Sequence, residues 1–106
     1  LLCETSLDNI IAEATESRAR VLIVDSIQTM VSDELDAPAG SVSQMKEVSS
    51  QLMKFAKTRG IACLLIGHVT KDGELAGPKM VEHLVDAVLT FDSSADRSQI
   101  RCLSSS

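Results

Sequence analysis

The chain has 106 residues, with 10 Lys and Arg against 15 Asp and Glu, for a net charge of −5. That length allows one domain, residues 1–106, near the lower end of the usual size range. The acidic balance argues against a strong grip on nucleic acid by this stretch alone, because such affinity comes mainly from cations set against phosphates. Apolar content of 44% with two Phe and no Trp or Tyr calls for an aliphatic core. No apolar run is long enough to span a bilayer and no targeting segment is visible, so no membrane is expected and the location is read as cytoplasmic. Cys3, Cys63 and Cys102 are odd in number and widely spaced, which fits neither a disulfide framework nor a zinc site; buried thiols are expected.

Leu1 and Leu2 read as the tail of a strand, which suggests a part of a longer protein. Thr5 and Asp8 form a capping-box-like pair. Leu7, Ile10, Ile11 and Ala14 recur at helical spacing, predicting a helix from about Ser6 to Arg18. Val21 to Val24 are four consecutive apolar, mostly β-branched residues, the pattern of a strand buried on both faces in a parallel sheet. The run stops at Asp25, which falls at the carboxyl end of the strand, the edge of an open α/β sheet where ligands bind. Thr29 to Gly40 has breakers and no period, and reads as a loop.

Ser41 and Gln44 supply a second capping box, and Met45, Val48, Leu52 and Phe55 make an apolar stripe down a helix ending at Arg59-Gly60. Lys54, Lys57 and Arg59 complement the dipole of its last turns, and Gly60 suits the left-handed cap. Ile61 to Ile66 forms a second buried strand ending at the same edge, followed by Gly67 and His68. Val69 to Pro78 is a loop with two glycines and a proline. Pro78 opens a short helix to about Leu84, whose His83 reads as structural. Ala87 to Phe91 and Ile100 to Leu103 are two further strands, joined as a hairpin by a turn over Asp92 to Ser98.

Val21 to Met30, Ala39-Gly40-Ser41-Val42, Gly67-His68-Val69-Thr70-Lys71-Asp72-Gly73, and Ala76-Gly77-Pro78-Lys79 followed by Glu82-His83 and Val85-Asp86 closely resemble the RadA (Sms) family of bacterial DNA-repair proteins, within the RecA-like ATPases. The resemblance runs from Leu1 to about Leu103. It implies an α/β fold, a three-layer α/β/α sandwich on a mostly parallel sheet, here a partial RecA-like P-loop NTPase core lacking the P-loop strand. It also implies a DNA-dependent ATP hydrolase, a ring-forming homo-oligomer that acts on single-stranded DNA and drives branch migration of recombination intermediates.

Residue by residue, the resemblance gives Asp25 the role of the Walker B acid that positions magnesium through water, with Ser26 beside it on the nucleotide. His68 takes the place of the polar sensor within reach of the γ-phosphate, where a bond made only in the presence of that phosphate would couple hydrolysis to the following loop. The loops Val31 to Gly40 and Val69 to Pro78 correspond to the two that face DNA in the ring's channel, with Lys71 and Lys79 as phosphate contacts. The chain also departs from the family. No Gly-x-x-x-x-Gly-Lys-Ser/Thr loop to cradle phosphates occurs in it. The family's catalytic glutamate falls before Leu1, and its Lys-Asn-Arg-Phe-Gly motif falls after Ser106. ATP and magnesium are therefore expected on the full-length protein and neither on this chain alone.

The gaps left in the sheet lead to the expectation that its open strand edges pair in a homodimer. The Asp25 strand and the Ile61 to Ile66 strand should remain neighbours. Three readings compete: a phosphoacceptor signalling domain, which needs an acidic pair and a lysine that only Lys71 loosely supplies; a serine hydrolase, for which no Gly-x-Ser-x-Gly elbow exists; and a non-catalytic α/β interaction module.

Overall fold

The computed structural model describes residues 1–68, 78–94 and 97–105, with side-chain environments for 1–68 and 80–89. The element order is α1 (Leu7–Glu16), β1 (Val21–Asp25), a 3-10 turn (Ile27–Thr29), α2 (Val42–Arg59), β2 (Ala62–Ile66), a second 3-10 segment (Pro78–Leu84), β3 (Leu89–Ser94) and β4 (Arg97–Ser105). β1 and β2 pair in parallel, in a register running from Val21 opposite Ala62 to Asp25 opposite Ile66. α2 is the crossover between them, and the two strands are neighbours as expected. β3 and β4 form the expected antiparallel pair as a separate sheet, in a register from Leu89 opposite Ser105 to Ser94 opposite Arg97, so that pairing runs into the stretch from Asp92 to Ser98 expected as a turn; residues 95–96 lie outside the described residues.

The core is aliphatic and lies on one side of the parallel pair. Leu7 and Ile10 of α1, Met45, Val48 and Leu52 of α2, Val24 of β1, Ile27, Met30 and Val81 form one buried cluster, flanked by Leu22, Cys63, Leu65 and Leu84. Strand residues alternate faces, so the other face presents Val21, Ile23, Leu64 and Ile66, which are 54, 60, 49 and 37% exposed. The expectation of β1 buried on both faces is thus met on one. Both faces are apolar, but burial needs a covering element, and α1, α2 and the second 3-10 segment all pack against the same side.

Helix ends account for the remaining differences. α1 starts one residue later than a Thr5 cap requires. Its N-cap is Ser6, which makes no side-chain cap bond. The Glu4 carboxylate takes over, accepting from the amides of Thr5 and Ser6 at 3.0 Å each and from Asn9 Nδ2 at 3.1 Å. These bonds, with Ser6 first, hold the Glu4 carboxyl below its ordinary pKa. The helix closes on Arg18 at φ 54°, where Ala19 N–H donates to Ala14 O at 3.1 Å and Arg18 N–H to Thr15 O at 3.3 Å, the paired bonds of a Schellman cap. Gly60 takes the left-handed cap of α2 at φ 67°, as predicted.

Leu1 and Leu2 are exposed and in no strand; an extended segment becomes strand only by pairing, and the pairing near this end is a single parallel bridge from Ser6 to Val31. Phe55 sits at the rim of the α2 stripe, half-buried under the Arg59 guanidinium, while Ala56 takes the buried position. Cys3 is exposed rather than buried, because α1 begins after it; Cys63 is half-buried on the core face of β2, and that burial pushes its thiol pKa up.

Candidate functional site

β1 and β2 run in the same direction and stop level with one another, so whatever follows each strand meets at one edge. Asp25 is the last residue of β1 and His68 lies two residues beyond the end of β2. The period of two turns Val24 into the core and Asp25 out of it, and the Asp25 side chain is 61% exposed. His68, 68% exposed, brings Nε2 to within 3.1 Å of Asp25 Oδ1. A pair this exposed contributes at most about 1 kcal/mol to stability. Its interest is therefore positional: a carboxylate and an imidazole, 43 residues apart in sequence, share one corner of the sheet.

The peptide between Asp25 and Ser26 is cis, and the chain then enters the 3-10 turn. Ser26 is buried, and its carbonyl accepts from the amide of Thr29 at 3.1 Å and from its hydroxyl at 2.9 Å. The sequence puts Ser26 beside Asp25, and the structure adds that the two differ in exposure. Gln28 is the residue that sequence reasoning passed over. Its Nε2 donates to His68 O at 2.6 Å, and its Oε1 accepts from His68 N–H at 3.3 Å. The side-chain amide thus continues the hydrogen bonding of the parallel pair past the last strand residues. A polar residue three places after a strand-end acid, inside a short turn, is the signal that marks it.

The loop from Val31 to Gly40 is fastened to α2. Gln44 is fully buried; its Oε1 accepts from Ser32 N–H at 3.0 Å, and its Nε2 donates to Ala37 O at 2.7 Å and Leu35 O at 3.5 Å. Ser41 caps α2 by accepting from Gln44 N–H at 3.3 Å, but the Gln44 side chain turns to the loop rather than back to Ser41, so half of the expected capping box forms. Gln51 Nε2 adds bonds to Ser32 Oγ at 3.2 Å, Glu34 Oε2 at 3.3 Å and Glu47 Oε1 at 2.7 Å. Both glutamines stand on or beside the apolar stripe of α2, and a glutamine at such a position is the signal for a buried polar clamp.

Lys71 lies outside the described residues; Lys79 lies in the second 3-10 segment, and its side chain is outside them too. His83 is exposed on that segment. Among the described residues no group of three or more His, Cys, Asp or Glu is placed to hold a metal ion. One exposed carboxylate suits a magnesium ion, which keeps most of its waters and leans on one or two carboxylates and substrate phosphates; a structural zinc site needs more ligands. The His68 ring meets a carboxylate through Nε2, and no serine or cysteine hydroxyl or thiol is bonded to it among the described residues, so no nucleophile–base pair is formed.

No family model matches the chain. Individual relatives do. Over 105 residues it is 45% identical to the DNA repair protein RadA of Escherichia coli K12, covering 99% of the chain and 23% of the relative. It is 45% identical over 96 residues to RadA of Pseudomonas aeruginosa, covering 91% and 21%, and 50% identical over 92 residues to RadA of Streptococcus pneumoniae, covering 87% and 22%. The chain spans between a fifth and a quarter of the length of these relatives. No described helix is long and apolar enough to cross a membrane.

Proposed function

Over the length it covers, the chain belongs to the RadA family of DNA repair proteins, and from that premise we propose that it carries the magnesium-holding and phosphate-sensing edge of a DNA-dependent ATPase core. The observation that supports the reading is the meeting of Asp25 and His68 at the carboxyl edge of two parallel strands, 3.1 Å apart, where open α/β sheets bind ligands. In the whole protein Asp25 holds magnesium through water, with Ser26 adjoining it on the nucleotide side. Magnesium held there would neutralise charge on the nucleotide's phosphates. His68 donates from its ring to the γ-phosphate when that group is present and returns to Asp25 when it is not. Lys71 and Lys79 contact DNA phosphates from the segment after His68. The full activity proposed is ATP-dependent branch migration by a ring of subunits on single-stranded DNA.

The phosphate cradle is not among these 106 residues. Calorimetric titration of the chain alone is therefore expected to give no micromolar affinity for Mg-ATP. In a full-length RadA carrying these residues, Asp25→Asn is expected to lower turnover by about 10–100-fold, the scale seen when a group that orients a metal's ligands is lost. His68→Ala is expected to retain ATP binding and to lose the stimulation of turnover by single-stranded DNA. Undiminished stimulation in the His68 variant refutes the sensor role, and undiminished turnover in the Asp25 variant refutes the magnesium role.

A further inference from the structure

We propose that Gln28 is the positioning residue of this edge, holding the His68 main chain so that its imidazole meets Asp25 and linking movement of His68 to the loop that ends at Gly40. The proposal rests on the reading of His68 as the phosphate sensor. Its basis is that one side chain satisfies both main-chain groups of His68, the carbonyl at 2.6 Å and the amide at 3.3 Å. A lone amide could be met by water. A two-point clasp fixes the orientation of the peptide units on both sides of His68, and with them the direction of the Cα–Cβ bond.

Gln28 has a firm base from which to do this. It sits in the 3-10 turn between Ile27 and Thr29, with Ile27 and Met30 buried at 1 and 4% exposure. Thr29 N–H and Met30 N–H bond back to Ser26 O and Ile27 O. The main-chain carbonyl of Gln28 faces the other loop: a Cβ added at Gly40, which lies at φ 85°, would come within 3.5 Å of it. Gln28 thus bonds His68 with its side chain, while its main-chain carbonyl lies beside Gly40, where an added Cβ would meet it. When His68 moves, it must either break both bonds or carry Gln28 with it, and the turn transmits that to Gly40 and the start of α2. Nothing in this mechanism needs Gln28 to touch nucleotide.

The test uses full-length RadA with these residues, measuring kcat and KM for ATP with and without single-stranded DNA. Gln28→Met keeps the length of the side chain and removes both bonds. It is expected to lower DNA-stimulated kcat about tenfold, the loss of one to two hydrogen bonds' worth of orientation, with KM changed by less than about twofold. Gln28→Glu keeps the acceptor for His68 N–H but sets a carboxylate oxygen against His68 O in place of the donor, so its loss should be at least as large as that of Met, and it serves if the Met variant does not fold. In the His68→Ala background, Gln28→Met should add no further loss. DNA stimulation of wild-type size in both Gln28 variants, or an equal loss in the presence and absence of the His68 ring, overturns the positioning role. If His68→Ala itself keeps full stimulation, the sensor reading falls first and this proposal with it; if His68→Ala loses stimulation and the Gln28 variants do not, only this proposal falls.

Discussion

Replacing Gln44 by Leu removes the clamp between α2 and the Val31 to Gly40 loop while keeping a side chain of similar volume. Three bonds are lost, to Ser32 N–H at 3.0 Å, Ala37 O at 2.7 Å and Leu35 O at 3.5 Å. They are not equal. Ser32 is 1% exposed, so its amide cannot turn to water, and leaving it unpaired costs about 1–3 kcal/mol. Ala37 is half-buried and its carbonyl can be rehydrated, adding about 1 kcal/mol, while the long Leu35 bond adds little. Leucine in a dry site gives back about 1 kcal/mol relative to the amide. The net expectation is a loss of about 1–3 kcal/mol, which at a urea m-value of about 1 kcal/mol/M moves the midpoint down by about 1–3 M. Equilibrium urea unfolding reads the total, and amide hydrogen exchange reads the cause, since Ser32 N–H should pass from protected to fast-exchanging while the β1 amides remain slow. A variant within about 0.5 kcal/mol of the parent, with Ser32 still protected, would show that the loop is held by something other than Gln44.

Backbone conformation predicts two opposite results at the helix ends. Arg18→Gly should raise stability by about 0.5–1 kcal/mol because φ 54° disfavours a side chain, whereas Gly60→Ala, at φ 67° with open space around its Cβ, should lower it by about 1 kcal/mol; thermal unfolding in which both changes have the same sign would contradict this. Adjacent β1 residues should differ sharply: Val24→Ala, at 3% exposure, costs about 2 kcal/mol, and Ile23→Thr, at 60%, less than about 0.5 kcal/mol, as measured by urea midpoints. Glu4, whose carboxyl is held below its ordinary value of 4.5 by the amides of Ser6 and Thr5 and by Asn9, contributes stability that is fully present above that value and is lost as pH falls through its lowered folded value. Glu4→Gln should therefore flatten the acid limb of a melting-temperature profile below pH 4.5, and an unchanged limb would show that the bonds do not persist in solution. Cys3, exposed, should be alkylated faster at pH 8 than Cys63, whose thiolate is disfavoured by burial; equal rates would place Cys63 outside the core.

Periodicity and strand-end chemistry carried most of the fold. The β-branched run at Val21, the crossover stripe of α2 and the second run before Gly67 determine a parallel pair with a helix between, since a strand–helix–strand unit of this length has essentially one right-handed way to close. That Asp25 and His68 share one edge was legible for the same reason, since each follows a strand whose direction is known; the roles given to them came from the family resemblance, and their 3.1 Å approach came from the folded chain. The left-handed cap at Gly60 follows from local sterics alone.

Tertiary structure decided what local pattern could not. An apolar residue reports that it suits burial, not which face a neighbour covers, and Val21 and Ile23 are as apolar as Val24 yet lie open because both helices pack on one side. A glutamine reports that it can donate and accept, not with what. Gln28 found both main-chain groups of a residue 40 positions away, and Gln44 found an amide and two carbonyls of a loop the sequence marks as irregular. Burial of Gln44 is tolerable only because those partners arrive together with it, since an unpaired polar group in the same place would cost more than it contributes. Partners of that kind are set by the folded path of the chain, and no period in the sequence encodes them.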